Sequence, residues 1–361
     1  MKKLSALLLT VCLVFILSCC DRNIENTSST ETSSEPTETE LLLSSMTLEE
    51  KVWQLFFVRC EERGEYPVGG VVLFAKDIKN PTELKSLTQE ITASNPKTAP
   101  LIAIDEEGGR VARIAKNPNF NVPKYQSMLS IGQTGNTENA FEVGENIGKY
   151  LKEYGIDINF APVADVFTNP ENTVIGDRAF SRDPETAAKM VAAAINGFHS
   201  EGIKTAAKHF PGHGNTKNDS HLGLAYSNKS WEELKNCELI PFSSAISAKT
   251  DLIMTAHISL PNIIGDSTPA SLSYKILTEK LRGEMGYNGV IVTDALDMGA
   301  ITEYYSDGTA AVKAFLAGAD ILLMPEDLEE SYNAVLSAVK NGEITEERLN
   351  QSVERILKLK K

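Results

Sequence analysis

The sequence predicts an α/β fold, a single TIM-type (β/α)8 barrel. Short apolar runs recur from Leu41 onward, helical stretches separate most of them, and neither an internal repeat nor a second Pro/Ser-rich linker divides them. Continuous apolar runs of four or five residues suit parallel strands buried on both faces. The runs are Phe56–Val58, Gly70–Phe74, Leu101–Ile104, Asp157–Ala161, Ile203–Ala207, Leu252–Thr255, Gly289–Val292 and Ile321–Leu323. A doubly wound open sheet is the main competitor. It usually carries a Gly-rich turn after its first strand, and no G-x-G-x-x-G follows Phe56–Val58.

The helices follow from caps and breakers. Thr47 with Glu50 three residues on reads as a capping box opening the first helix. Helices are then expected over Pro81–Ala93, Glu138–Glu153, Pro184–Ser200, Ser230–Ser247, Lys275–Met285 and Ala310–Leu316. Two more, Leu328–Lys340 and Thr345–Lys360, are separated by Asn341-Gly342.

The first forty residues differ in kind. Residues 1–18 read as a signal peptide, with Lys2-Lys3 ahead of the apolar run Leu4–Leu17, which is short for a bilayer span. The run ends in Ser18-Cys19-Cys20, similar to a bacterial lipobox. That resemblance implies cleavage before Cys19, lipidation of its thiol (Cys20 being the alternative) and an extracytoplasmic, membrane-tethered protein. Residues 19–40 read as a disordered tether of Ser, Thr and Glu, and residues 41–361 as the folded barrel domain.

Composition narrows the function. The net charge is −14 and falls to −11 without the first forty residues, so a nucleic-acid partner is not expected. Of five cysteines, only Cys60 and Cys237 lie in the body, where free thiols are expected. In a barrel, chemistry collects at the carboxyl ends of the strands. Five predicted strands run into polar residues there: Asp105, Asp165, Lys208-His209, His257 and Asp294. Together they mark a candidate site.

The segment after the fifth run, Lys208-His209-Phe210-Pro211-Gly212-His213-Gly214, continues to Asp219-Ser220-His221. A metal site at His209 and His213 would need helical i, i+4 spacing, which Pro211 and Gly212 prevent, so neither metal nor cofactor is expected. Acid–base chemistry fits better. Asp219 and His221, two apart in an extended loop, can form a carboxylate–imidazole dyad. With Asp294 as a separate carboxylate, the set provides a nucleophile and a proton donor, as in a retaining glycosidase.

These residues resemble the signature of family 3 glycoside hydrolases of the bacterial β-N-acetylglucosaminidase type. Ile104–Arg113, Asn159–Val166, Gly176–Ser181 and Gly289–Leu296 agree with it in order and rough spacing. The resemblance implies that Asp294 is the nucleophile, His221 the acid/base and Asp219 its partner. It implies that Asp105 takes the sugar hydroxyls and that Arg113, Arg178, Lys208 and His209 line the sugar pocket. The implied activity is exo-acting, retaining release of terminal β-linked N-acetylglucosamine from muropeptides or chito-oligosaccharides. Many family members draw an acid from a further α/β domain. With the sequence ending at Lys361, the expectation is the subgroup whose Asp-His pair lies within the barrel. A histidine does not repel an incoming anion, so phosphorolysis is a variant of the same reading. A non-catalytic sugar-binding lipoprotein is the rival from another class. Arg110 is expected as a rim salt bridge, Asp297 as a helix N-terminal carboxylate and His213 as a loop-shaping group; His257 and Asp165 are expected to support the site from behind.

Overall fold

In the computed structural model, residues 36–216 and 223–361 are described. Eight parallel strands form a nearly closed barrel: β1 Phe56–Arg59, β2 Gly70–Leu73, β3 Leu101–Ile104, β4 Ile158–Asn159, β5 Lys204–Phe210, β6 Leu252–Thr255, β7 Val290–Thr293 and β8 Leu322–Leu323. Neighbours pair in sequence order. Phe56 and Phe57 of β1 pair with Leu322 and Leu323, and a bridge between Val292 and Ile321 brings β7 to β8. The strand residues are buried almost without exception, as expected where helices cover a sheet whose inner face fills the barrel.

Most helices lie where caps and breakers placed them. Pro81–Ala93, Pro184–Ser200 and Leu328–Lys340 have the expected bounds, and the Thr47/Glu50 capping box forms with both reciprocal hydrogen bonds. Four features stand apart from the regular pattern. The body begins at Thr37, ahead of the boundary at 41, because Glu38–Ser44 is a helix. Thr37-Glu38-Thr39-Glu40 is a second capping box, hidden by the Ser/Thr/Glu composition before it. β4 stops at Asn159, short of the expected Ala161, although Phe160 N still donates to Ile104 O and Ala161 O still accepts from the Ala206 amide. The expected helix over 230–247 divides into Trp231–Lys235 and Leu239–Ser247. The β1–β2 crossover holds only a 3-10 turn, Cys60–Glu62, where a regular barrel carries a helix.

The base of the barrel, at the amino ends of the strands, is locked by fully buried Asp320. Its carboxylate accepts from the Ile291 amide (2.9 Å) and Ser352 Oγ (2.5 Å), and contacts Arg282, Arg348 (3.5 Å) and Arg355 (3.2 Å). One acid thereby ties β7 to the C-terminal helix Glu346–Leu359. Asp320→Ala leaves three guanidiniums without their shared counter-charge. It is expected to cost about 3–5 kcal/mol in denaturant unfolding, and a loss under about 1 kcal/mol would contradict this account.

Candidate active site

A cavity of about 620 Å³ opens at the carboxyl ends of the strands, lined by Asp105, Glu107, Arg113, Arg178, Lys208, His209 and Asp294 among others. Each side chain is aimed by local structure. Asp105 follows the last residue of β3. Beyond it, buried Glu106 turns away from the cavity and accepts from the Ile114 and Ala115 amides and from Tyr150 Oη (each 2.9 Å). Asn159, at the end of β4, completes the brace: its amide group accepts from Glu106 N (3.0 Å) and donates to Glu106 O (2.9 Å). The 105–115 loop is thus shaped from behind, bringing Arg113 Nη2 to 3.4 Å from Asp105.

Consecutive residues of a regular strand face opposite sides, yet both Lys208 and His209 line the cavity. The register of β5 against β6 shifts between Ala207 and Phe210, and this irregularity accommodates both. The loop that follows needs its glycines. Gly212 has φ +123°, and a Cβ on Gly214 would lie 2.0 Å from the Val166 carbonyl oxygen.

The polar groups form one connected chain. Lys208 Nζ lies 2.6 Å from Asp105 Oδ1 and 2.7 Å from Glu107 Oε1. Arg178 donates to both Glu107 oxygens, at 2.8 and 2.7 Å, and its Nη2 lies 3.3 Å from His209 Nε2. His209 Nδ1 lies 2.7 Å from Asp165, whose carboxylate also accepts from the His209 and His213 amides. A proton on Nδ1, donated to Asp165, leaves Nε2 to accept from Arg178. Burial alone would raise the Glu107 carboxyl, but Arg178 and Lys208 hold it far below the usual carboxylate range. Burial likewise opposes the charge on Lys208, and Asp105 and Glu107 outweigh it, raising its pKa.

Asp294 follows β7 and lines the cavity. Its amide donates to Thr255 O, and its Oδ1 accepts from the Ala295 amide (both 2.9 Å). Behind it, buried His257 has Nε2 2.8 Å from the Ala295 carbonyl, to which it donates, and Nδ1 2.7 Å from Ser271 Oγ. His213 lines the cavity too, with Nδ1 2.7 Å from Thr216 Oγ1, and burial lowers its pKa.

The structure therefore brings Asp105, Arg113, Arg178, Lys208, His209 and Asp294 to one cavity. Asp219, His221 and Cys19 lie outside the described residues. Arg110 bridges to Asp177 (2.9 Å) at the rim. Asp297, expected at a helix N-terminus, instead pairs with Arg59 at the end of β1, while Met298 occupies the N-cap of helix Gly299–Thr302. Sequence reasoning passed over Glu107. The signal was electrostatic: two buried cations, Arg178 and Lys208, need more than Asp105 to balance them.

A parallel (β/α)8 barrel with carboxylates and cations gathered at its carboxyl face is the architecture of a small-molecule barrel enzyme fold. Residues 47–359 match the model of the glycosyl hydrolase family 3 N terminal domain, and the chain belongs to that family. It is 40% identical over 322 residues to the beta-hexosaminidase A of Pseudoalteromonas piscicida, covering 82% of this chain and 53% of that protein. A beta-hexosaminidase of Tolumonas auensis is 40% identical over 259 residues, covering 71% of this chain and 75% of that one. Among solved structures, a glycoside hydrolase family 3 beta-N-acetylglucosaminidase from Paenibacillus sp. superposes with a TM-score of 0.82 at 38% identity, covering 88% of this chain and 62% of that one. The chain thus spans little more than half of the first of these relatives.

Proposed function

We propose that the protein is an exo-acting, retaining β-N-acetylglucosaminidase that removes terminal β-linked N-acetylglucosamine from muropeptides or chito-oligosaccharides. The observation that carries this reading is the cavity in which Asp294 and the Asp105–Lys208–Glu107–Arg178 chain meet, in a family whose similar members include beta-hexosaminidases. In the proposed double displacement, Asp294 attacks the anomeric carbon and the C–O bond to the aglycone breaks as the acid protonates the leaving oxygen. Water, deprotonated by the same group, then cleaves the glycosyl–Asp ester. Asp105 is assigned to the sugar hydroxyls; Arg113, Lys208 and His209 line the ring's pocket, and Arg178 holds Glu107 and His209 in place.

His221 is assigned as the acid/base with Asp219 as its partner, on the resemblance of the Lys208–His221 segment. His221→Ala is expected to lower kcat strongly for a substrate with a poor leaving group and much less for a nitrophenyl aglycone, which needs little protonation to depart. An equal loss on both would remove His221 from that role.

Water is favoured over phosphate as the acceptor. Arg59, Arg110, Arg113, Arg178 and Lys208 each already contact a carboxylate, Arg113 at the longest distance, 3.4 Å, so an incoming dianion meets cations that are largely matched. Incubating the protein with N-acetylglucosaminyl-anhydromuramic acid and with chitobiose, with and without phosphate, tests this. Free N-acetylglucosamine in both conditions is the expected product. N-acetylglucosamine 1-phosphate would shift the assignment to a phosphorylase, and no product at all to a sugar-binding protein.

We also propose that Cys19 carries a lipid that anchors the protein to a bacterial membrane outside the cytoplasm, on the periplasmic side or at the cell surface. Among the described residues no helix is long and apolar enough to cross a membrane; the assignment to the acyl chains rests on the lipobox-like Ser18-Cys19-Cys20. Cys19→Ala is expected to move the protein from the detergent phase to the aqueous phase in a phase-partition assay. Retention of the variant in detergent would oppose lipidation at this residue.

A further inference from the structure

A second cavity, of about 340 Å³, lies at the opposite end of the barrel from the active site. Helix Glu38–Ser44, the segment leading into β3, Asp157 ahead of β4 and the end of the C-terminal helix enclose it. Its size is at the small end of ligand sites. The walls are apolar at Leu42, Pro100, Leu101 and Leu357.

Two charged groups in this wall lack an opposite charge in contact. Lys360 keeps part of its stem exposed while its ammonium is enclosed. Its Nζ donates to two neutral acceptors, Gln54 Oε1 and the Ala99 carbonyl, each at 2.8 Å. Asp157 accepts from the Ile102 amide at 2.8 Å. The two line the same cavity and attract each other without forming an ion pair within 4 Å. The other charges around the cavity are matched: Glu38 with Lys361 at 3.2 Å, and Lys97 with Glu50 at 2.7 Å. Lys204 lies close enough to Asp157 to stabilise its charge in part. The unmet charges leave their mark. Burial pulls the Lys360 ammonium down to about 7 and raises the Asp157 carboxyl above its ordinary value.

A half-buried cation and a half-buried anion that line one apolar-walled cavity without pairing to each other call for a ligand carrying both complementary charges on a short frame. An inorganic anion would satisfy Lys360 and be repelled by Asp157; a simple amine would do the reverse. We infer that this cavity binds a free α-amino acid with an apolar side chain, its carboxylate on Lys360 and its ammonium on Asp157. The bound molecule would join helix Glu38–Ser44 to the C-terminal helix and stabilise the folded state by mass action.

Calorimetric titration of the purified full-length protein with L-leucine and L-alanine tests this, with acetate and ethylamine as single-charge controls. Saturable binding of an amino acid is expected, with neither control binding comparably. At pH 8 binding is expected to take up protons, because Lys360 regains its charge against the carboxylate, so the measured heat should vary with buffer ionisation enthalpy. Lys360→Met and Asp157→Asn are each expected to weaken binding about tenfold or more, while kcat/KM on an aryl N-acetylglucosaminide stays unchanged. Should Asp157→Asn fail to fold, Lys360→Met alone decides. The inference is overturned if neither amino acid binds, if acetate binds as well as leucine, or if Lys360→Met leaves affinity intact. None of these readouts depends on the assigned hydrolase activity, so the two readings fail separately.

Discussion

Asp294→Asn is expected to lower kcat for an aryl N-acetylglucosaminide by several orders of magnitude while leaving the fold intact. The amide is nearly isosteric with the carboxylate. The backbone N–H of residue 294 still donates to Thr255 O, and an Asn Oδ1 can still accept from the Ala295 amide. What is lost is the negative charge and the oxygen nucleophile that forms the glycosyl ester, and no leaving group compensates for that. The contrast with His221→Ala is therefore diagnostic: a nitrophenyl aglycone partly restores the histidine variant and not the asparagine variant. The melting temperature, followed by circular dichroism, is expected to change little. Activity near the starting level in Asp294→Asn would remove this residue from the mechanism.

Glu107→Gln is expected to be the most damaging single change for the cavity's architecture. It keeps the side chain's size and deletes the charge that faces both Lys208 and Arg178. Breaking a buried ionic cluster by removing one member typically costs about 3–5 kcal/mol, and a loss of that order is expected in urea unfolding. Activity should fall with it, since Lys208 and Arg178 lose the carboxylate that positions them. The pH dependence has a definite sign. The folded-state pKa of Glu107 is depressed, so its stabilisation is fully present above the unfolded carboxyl value and is lost as pH falls toward the folded one. The unsubstituted protein should therefore lose stability on acidification below about pH 4, and Glu107→Gln should show a shallower loss over the same window. Identical acid limbs in the two proteins would contradict the pairing.

Much of the architecture was legible because it rests on local rules. Alternation of apolar runs with capped helices indicates a barrel, and polar residues at strand ends indicate its working face. Where two local rules competed, the reading slipped. Thr37–Glu40 has a disordered composition and a helix-opening cap, and the cap prevails because helix Glu38–Ser44 packs against the C-terminal helix more than three hundred residues later in the chain. Lys208 and His209 were expected to share a pocket although neighbouring strand residues normally diverge, and the strand irregularity that reconciles them has no sequence mark. Of three adjacent acids, Asp105 was assigned to the site and Glu107 was not. Which way each points is decided by Asn159 and Tyr150, partners that only the fold brings near. Asp297 looked like a helix dipole partner, but Arg59 from the other end of the chain claims it.

The pairing of β1 with β8 bears on how the molecule assembles. Phe56 and Phe57 find their ladder partners only when Leu322 and Leu323 are available, and the helix that holds Asp320 in place comes later still. Such pairings carry a large loop-closure cost and make closure slow. Until then the apolar edge of β1 is open to other chains. Truncations that remove the last helix are therefore expected to yield an aggregation-prone chain rather than a smaller working barrel.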